Sequence, residues 1–274
     1  MFENSFYPEW LEVFIVDDER FGAAYDAVPD NRRAWLKTTI ARLHALHGTP
    51  QVMWGRQENH WRQGHISIAE SRPVDWTAVV VDSAYASGVR LLAAAMMPLL
   101  SGVEDILVVF SGDAPVAAEC LAALELAGIE MAVQLDAENT ALFMAELSAS
   151  GISGRILALG ETARHAVHHV GILGNGLSAW FEPQHTSLGV LSGASFDRDL
   201  LAWAHPDLNI VDVAADDLAS PSSFAAICCE ADVVDTVADT VPVSLGAGQE
   251  GCWIWPDLLP QWFTHRRFSL LSEV

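Results

Sequence analysis

Four short apolar runs recur at near-constant spacing, and they constrain the fold more than any other feature of the chain. They are Ala78–Asp82 (AVVVD), Ile106–Phe110 (ILVVF), Met131–Leu135 (MAVQL) and Ile156–Leu159 (ILAL), with starts about 25–28 residues apart. That interval holds one strand and one returning helix, and helical patterns fill the gaps. Leu91, Leu92, Ala95 and Leu99 share a face before Gly102. Val116, Cys120, Ala123, Leu124 and Ala127 share the next, with Asp113 expected as its cap, Pro115 in its first turn and Gly128 as its stop. Leu142, Ala145 and Leu147 mark the third, before Gly151. Continuous apolar strands alternating with amphipathic helices predict an α/β fold, a parallel Rossmann-like sheet with helices on both faces.

The flanking regions read differently. Asn31 to His47 predicts a helix, with Trp35, Ile40, Leu43 and Leu46 on one side and Gly48 as a stop. Arg32, Arg33, Lys37 and Arg42 make it basic, as suits either a partner or its own acidic body. Residues 50–75 read as a polar arm or long loop, with His60 and His65 as surface residues. Val170–Trp180 reads as a sharp glycine-rich turn, Leu188–Leu191 and Leu208–Val213 as strands, and Asp197–Ala204 as a short helix. The expected organisation is an N-terminal helical arm over residues 1–75 and a Rossmann-like domain over 76–213. An acidic and aromatic segment over 214–274 would then pack on the core or a partner.

Composition removes whole function classes. The chain has 274 residues, 14 Lys+Arg against 36 Asp+Glu, a net charge of −22 and 51% hydrophobic residues. It is too apolar for a disordered acidic tail and too acidic to grip a nucleic-acid backbone. Lys37 is its only lysine, so P-loop and Schiff-base chemistry have almost nothing to work with. Met1–Trp10 lacks the pattern of a signal peptide, and the longest apolar stretch, Leu91–Leu100, is too short for a bilayer. Cys120, Cys228, Cys229 and Cys252 form no CxxC pair, which fits a reducing cytoplasm. No nucleic acid and no membrane are expected as partners. A homo-oligomer or a protein partner is, through the N-terminal helix or the aromatic C-terminus.

Candidate chemistry is sparse. In open α/β sheets ligands bind beyond the carboxyl ends of the strands. Here those ends are Asp82–Tyr85, Ser111–Asp113, Asp136–Asn139 and Gly160–Thr162. Each leads to a helix N-terminus, which can hold an anion or simply be capped. His165, His168 and His169 cluster in ARHAVHH, at a spacing that allows two metal ligands on a helix, or an exposed histidine-rich face. Cys252 lies among Gly246, Gly248 and Gly251, as either a nucleophile approached by backbone amides or a buried structural thiol.

Three segments in order carry a family resemblance: Met96-Met-Pro98, Ser101 to Val109 (SGVEDILVV) and Leu124 to Ile129 (LELAGI). Residues 77–176 resemble the nucleotide-binding part of histidinol dehydrogenases, near the aldehyde dehydrogenase superfamily. The resemblance implies a Rossmann-like fold and NAD or NADP as cofactor. It places Tyr85, Asn139 and Asn175 near cofactor-contacting positions. The departures are specific. The family's zinc ligands and Glu-His pair have no matching segment, and Pro183-Gln184-His185 comes too early for its Pro-Glu-His stretch. The segment before Cys252 is similar to an aldehyde dehydrogenase nucleophile segment with one extra residue, followed by only 22 residues. Two readings follow. One is a divergent dehydrogenase-like protein without the catalytic apparatus, acting in binding or assembly. The other is an NAD(P)-dependent oxidoreductase for an aldehyde or alcohol, using Cys252 or the histidine cluster.

Overall fold

A computed structural model describes residues 6–48, 54–169, 177–214, 224–237 and 241–272. The chain begins with a 3-10 turn, Glu9–Phe14, and two helices, α1 (Asp18–Ala27) and α2 (Asp30–His47). The β1 (Gly55–Trp61) and β2 (His65–Pro73) strands form a hairpin. The repeating unit then unfolds in order. It comprises β3 (Trp76–Asp82), α3 (Gly88–Leu100), β4 (Asp105–Ser111), α4 (Ala118–Ala127), β5 (Ala132–Leu135), α5 (Ala137–Ala149), β6 (Gly154–Leu159), α6 (Glu161–His169) and β7 (Leu177–Phe181). A second unit holds β8 (Ser187–Leu191), α7 (Arg198–Ala204), β9 (Asn209–Val213), β10 (Phe224–Cys228), the one-turn α8 (Val234–Val237) and β11 (Ser244–Leu245). The long β12 (Thr264–Ser272) ends it.

Three sheets result. The first is five-stranded and all parallel, in the order β5-β4-β3-β6-β7. The second is parallel and four-stranded, in the order β11-β10-β8-β9. The third is antiparallel, β1-β2-β12, and joins residues about two hundred positions apart. The expected parallel sheet with helices on both faces is therefore present. The strands expected at 188–213 belong to a separate parallel sheet, completed by β10 and β11.

The first sheet shows why its strands read so clearly. Along β3, Val79 and Val81 enter the core under α3 and α4, while Trp76, Ala78 and Val80 enter the core under α5 and α6. Both faces are buried, so alternation disappears and an unbroken apolar run remains. The N-terminal helices extend the first of these cores, α1 against α4 and α2 against α3. Among the described residues no helix is long and apolar enough to cross a membrane.

Several local expectations change. Residues 55–73 form strands rather than an irregular loop, because β12 supplies pairing that the local sequence cannot reveal. The α4 helix starts at Ala118, and Asp113 does not cap it. Ser83 Oγ accepts from Ala114 N at 3.2 Å, and Gln134 Nε2 donates to Gly112 O and Ala114 O, which hold 112–117 out of the helix. Gly128, at φ 69°, does end it. Of the turn expected at Val170–Trp180, residues 170–176 lie outside the described residues, and Leu177–Phe181 is the edge strand β7. The aromatic C-terminal segment divides: Trp253, Trp255 and Phe263 are core, while Phe268, Leu270 and Leu271 are exposed on β12.

Candidate functional site

A crevice of about 350 Å³ lies at the carboxyl ends of the first sheet's strands. Asp82, Ala84, Tyr85 and Ala86 (after β3) and Gly160 (after β6) form one side, and Pro206 and Asp207 (between α7 and β9) form the other. It therefore opens where the two parallel sheets meet. Its close packing depends on glycine. Gly160 has φ 86°, and a Cβ there would meet Asp82 Cβ at 2.7 Å. Gly112, at φ 118°, comes as close to Ser83 Oγ, 2.6 Å from where its Cβ would lie. Only glycine tolerates both the positive φ and the contact.

Carboxylates occupy backbone donors around this crevice. Asp82 Oδ1 accepts from Ala84 N at 3.0 Å and Asp82 Oδ2 from Thr162 N, at the start of α6, at 3.4 Å. Glu182 Oε2 accepts from Gly160 N at 2.9 Å. Beyond the crevice, at the edge strand β5, Asp136 Oδ1 caps α5 by accepting from Asn139 N at 2.8 Å. These are loop and helix-N-terminal N–H groups of the kind a bound phosphate uses, and the chain's own anions fill them.

Behind the crevice is a buried polar network. Arg90, on the otherwise apolar α3, is 4% exposed, and Glu182, just after β7, is 7% exposed. Arg90 Nη1 lies 3.2 Å from Glu182 Oε1, and Arg90 Nη2 pairs with Asp207 of the second unit. Tyr85 donates its hydroxyl to Glu182 Oε1 at 2.8 Å. Trp255 Nε1 donates to Arg90 O at 3.1 Å, and Ser87 Oγ to Ala204 O at 2.6 Å. The network thus ties the two parallel sheets and the C-terminal loop together. Burial raises the Glu182 pKa, and the Arg90 charge, the Tyr85 hydroxyl and Gly160 N–H oppose that rise. Burial also pushes the Tyr85 phenol well above its usual range. Burial disfavours the Arg90 cation, but the surrounding Tyr85, Glu182 and Asp207 keep it protonated, with its pKa raised.

His205 adjoins this network, fully buried and edge-on to Trp253, with ring centroids 4.8 Å apart. Among the described residues neither imidazole nitrogen has a hydrogen-bond partner. Burial, and then the Arg90 charge, lower its pKa to about 3, so it is neutral at pH 7. His185, within the Pro183-Gln184-His185 stretch, is shifted down by the same two causes.

The residues singled out from sequence do not gather at one point. Tyr85 lines the crevice, with its hydroxyl committed to Glu182. Asn139 lies in the first turn of α5, where its Nδ2 donates to the capping Asp136 Oδ2 at 3.2 Å. Asn175 lies outside the described residues. His165, largely exposed, faces Glu161 Oε1 at 3.6 Å, and His168 stacks on Phe181 with centroids 4.3 Å apart. His169 ends α6, and its side chain lies outside the described residues. Among the described residues no group of three His, Cys, Asp or Glu side chains is placed to hold a metal.

Cys252 is buried beneath α2, where Thr39 Oγ1 donates to Gly251 O at 3.2 Å and Gly251 abuts the Trp35 ring. Among the described residues its thiol makes no hydrogen bond. Cys120 and Cys228 are buried too, and burial raises both thiols, Cys228 to about 12. Arg90 and Glu182 escaped the sequence reading. The signal for Arg90 was a single charge in GVRLLAAAMMPLL, because an isolated arginine in an apolar helix needs a buried anion.

Among solved structures, the chain is similar to histidinol dehydrogenase from Elizabethkingia anophelis. The TM-score is 0.60 at 11% identity, over 94% of this chain and 77% of that one. It is also similar to an NAD-dependent benzaldehyde dehydrogenase from Corynebacterium glutamicum, with a TM-score of 0.50 at 9% identity, over 93% of this chain and 84% of that one. No family model matches the sequence, and no curated protein does. The fold is that of these two dehydrogenase structures, and the likeness extends beyond residues 77–176 to nearly the whole chain.

Proposed function

We propose that this chain is a divergent dehydrogenase-like protein without a working dehydrogenase site, acting in binding or assembly. The observation that carries the reading is the self-filled crevice. Asp82 and Glu182 hold Ala84, Thr162 and Gly160 N–H groups at the strand ends. A dinucleotide pyrophosphate would have to displace two carboxylates from those donors, beside a third at Asp207. As folded, the crevice does not fit that group. Cys252 is buried beside Gly251, which abuts the Trp35 ring, and among the described residues no side chain hydrogen-bonds its thiol, as the base of a thiol nucleophile would.

Binding or assembly would then use the outside of the molecule. Basic α2 and the exposed apolar residues of β12 are the surfaces we propose for a homo-oligomer or a protein partner. Four buried free thiols are consistent with a reducing cytoplasm. The test is turnover of an aldehyde and alcohol panel with NAD or NADP. The expected result is no rate above buffer for wild type or Cys252→Ala. A wild-type rate that Cys252→Ala abolishes would overturn the proposal.

A further inference from the structure

A second cavity lies away from the strand-end crevice. It is a cleft of about 690 Å³ between the three-stranded sheet and the ends of α2 and α3, within the roughly 300–1,000 Å³ of small-molecule sites. Strand register sets its floor. Gly55, Ser71 and Arg266 are aligned across the three strands, and so are Gln57, Ala69 and Phe268. Residues two apart on a strand share a face, so both rows face the same side. Three small residues in the middle leave space. Arg266 and Phe268 bound it along β12, and His47, Leu100 and Gln261 face them from the body.

The charge of this cleft is the reverse of the molecule's. Arg266 stands on the cleft side, where the lining carries no carboxylate, while Arg56, Glu70 and Arg267 form the next row, turned to the opposite face, where Arg56 engages Glu70 at 3.1 Å. Among the described residues no carboxylate pairs with Arg266 or Arg267, in a chain with 36 acidic residues. Arg266, exposed on the cleft side and left free in such a chain, forms a local attraction for anions that the rest of the surface repels. A guanidinium fork matches carboxylate and phosphate oxygens in two parallel hydrogen bonds. Phe268, 68% exposed, and Leu100 offer apolar surface within the same cavity.

We infer that this cleft is a binding site for a small organic anion. Arg266 holds the carboxylate or phosphate, and the apolar part lies against Phe268, Ala69 and Leu100. The site is separate from the strand-end crevice, so its failure would leave the reading of that crevice untouched.

The experiment is calorimetric titration of the full chain with phenyl phosphate, benzoate and, as the uncharged control, phenol. At least one anion should bind ten-fold or more tightly than phenol, and which one does so separates phosphate from carboxylate recognition. Arg266→Gln should weaken that anion about ten-fold, the loss expected for a charge-assisted contact. Phe268→Ala should weaken it as well, and Arg62→Gln at the hairpin turn should leave it unchanged. Circular dichroism confirms that each variant is folded. Both anions binding no better than phenol, or both Arg266→Gln and Phe268→Ala binding as wild type does, would overturn the inference.

Discussion

His205 makes stability depend on pH in a way that one substitution isolates. In the folded chain its pKa lies at about 3, and in the unfolded chain it returns to about 6.5. A depressed folded pKa means the unfolded chain takes up the proton first as the pH falls. The contribution is therefore fully present above about pH 6.5 and is lost between there and about pH 3. Each pH unit in that window is worth about 1.4 kcal/mol, so His205 removes about 2 kcal/mol between pH 6.5 and pH 5. His205→Leu keeps an apolar contact with Trp253 and removes two buried nitrogens that have no partner among the described residues. Near pH 8 it should cost little, because no hydrogen bond is lost and two desolvated polar atoms disappear. Urea unfolding followed by fluorescence of the ten tryptophans, at pH 5, 6, 7 and 8, measures both proteins. The variant should gain about 2 kcal/mol relative to wild type on going from pH 8 to pH 5. The difference between the two proteins cancels the carboxylates that titrate in the same range. Curves that stay parallel to within about 0.5 kcal/mol would show that His205 is not buried and neutral in solution, and the reasoning would fail.

Two further outcomes test the packing around the crevice. Glu182→Gln leaves Arg90 with only the half-exposed Asp207 as an anionic partner and should cost about 3 kcal/mol in denaturant unfolding, against a loss under 1 kcal/mol if the pair does not form. Gly160→Ala combines positive φ with a contact at 2.7 Å, whereas Gly248→Ala has positive φ and open space. The first should therefore lower the melting temperature more than the second, and equal shifts would refute the close approach of Asp82.

What could be read from the sequence follows from how each element is buried. The strands β3, β4 and β6 are covered on both faces, so their residues carry the signal unaided. The β1 strand, GRQENHW, is polar and exposed along nearly its whole length, and β12, far along the chain, completes its sheet. The second parallel sheet was faint because β11 has two residues and β8 contains Gly189, pressed against Ile227. The crevice loops were legible as helix starts. Glu182 was not, because its partners Tyr85 and Arg90 lie more than ninety residues earlier and only folding aligns them. The net charge of −22 and the carboxylates on the loop donors bear on the same question, because both oppose an anionic ligand at the strand ends.

The central claim is that the chain's own carboxylates occupy the strand-end crevice. Calorimetric titration of the purified chain with NAD and with NADP, at low ionic strength and up to millimolar concentration, tests it most directly. Neither dinucleotide should give saturable heat. Binding of either one in the micromolar range, lost on replacing Gly160 by Val at the crevice floor, would contradict it.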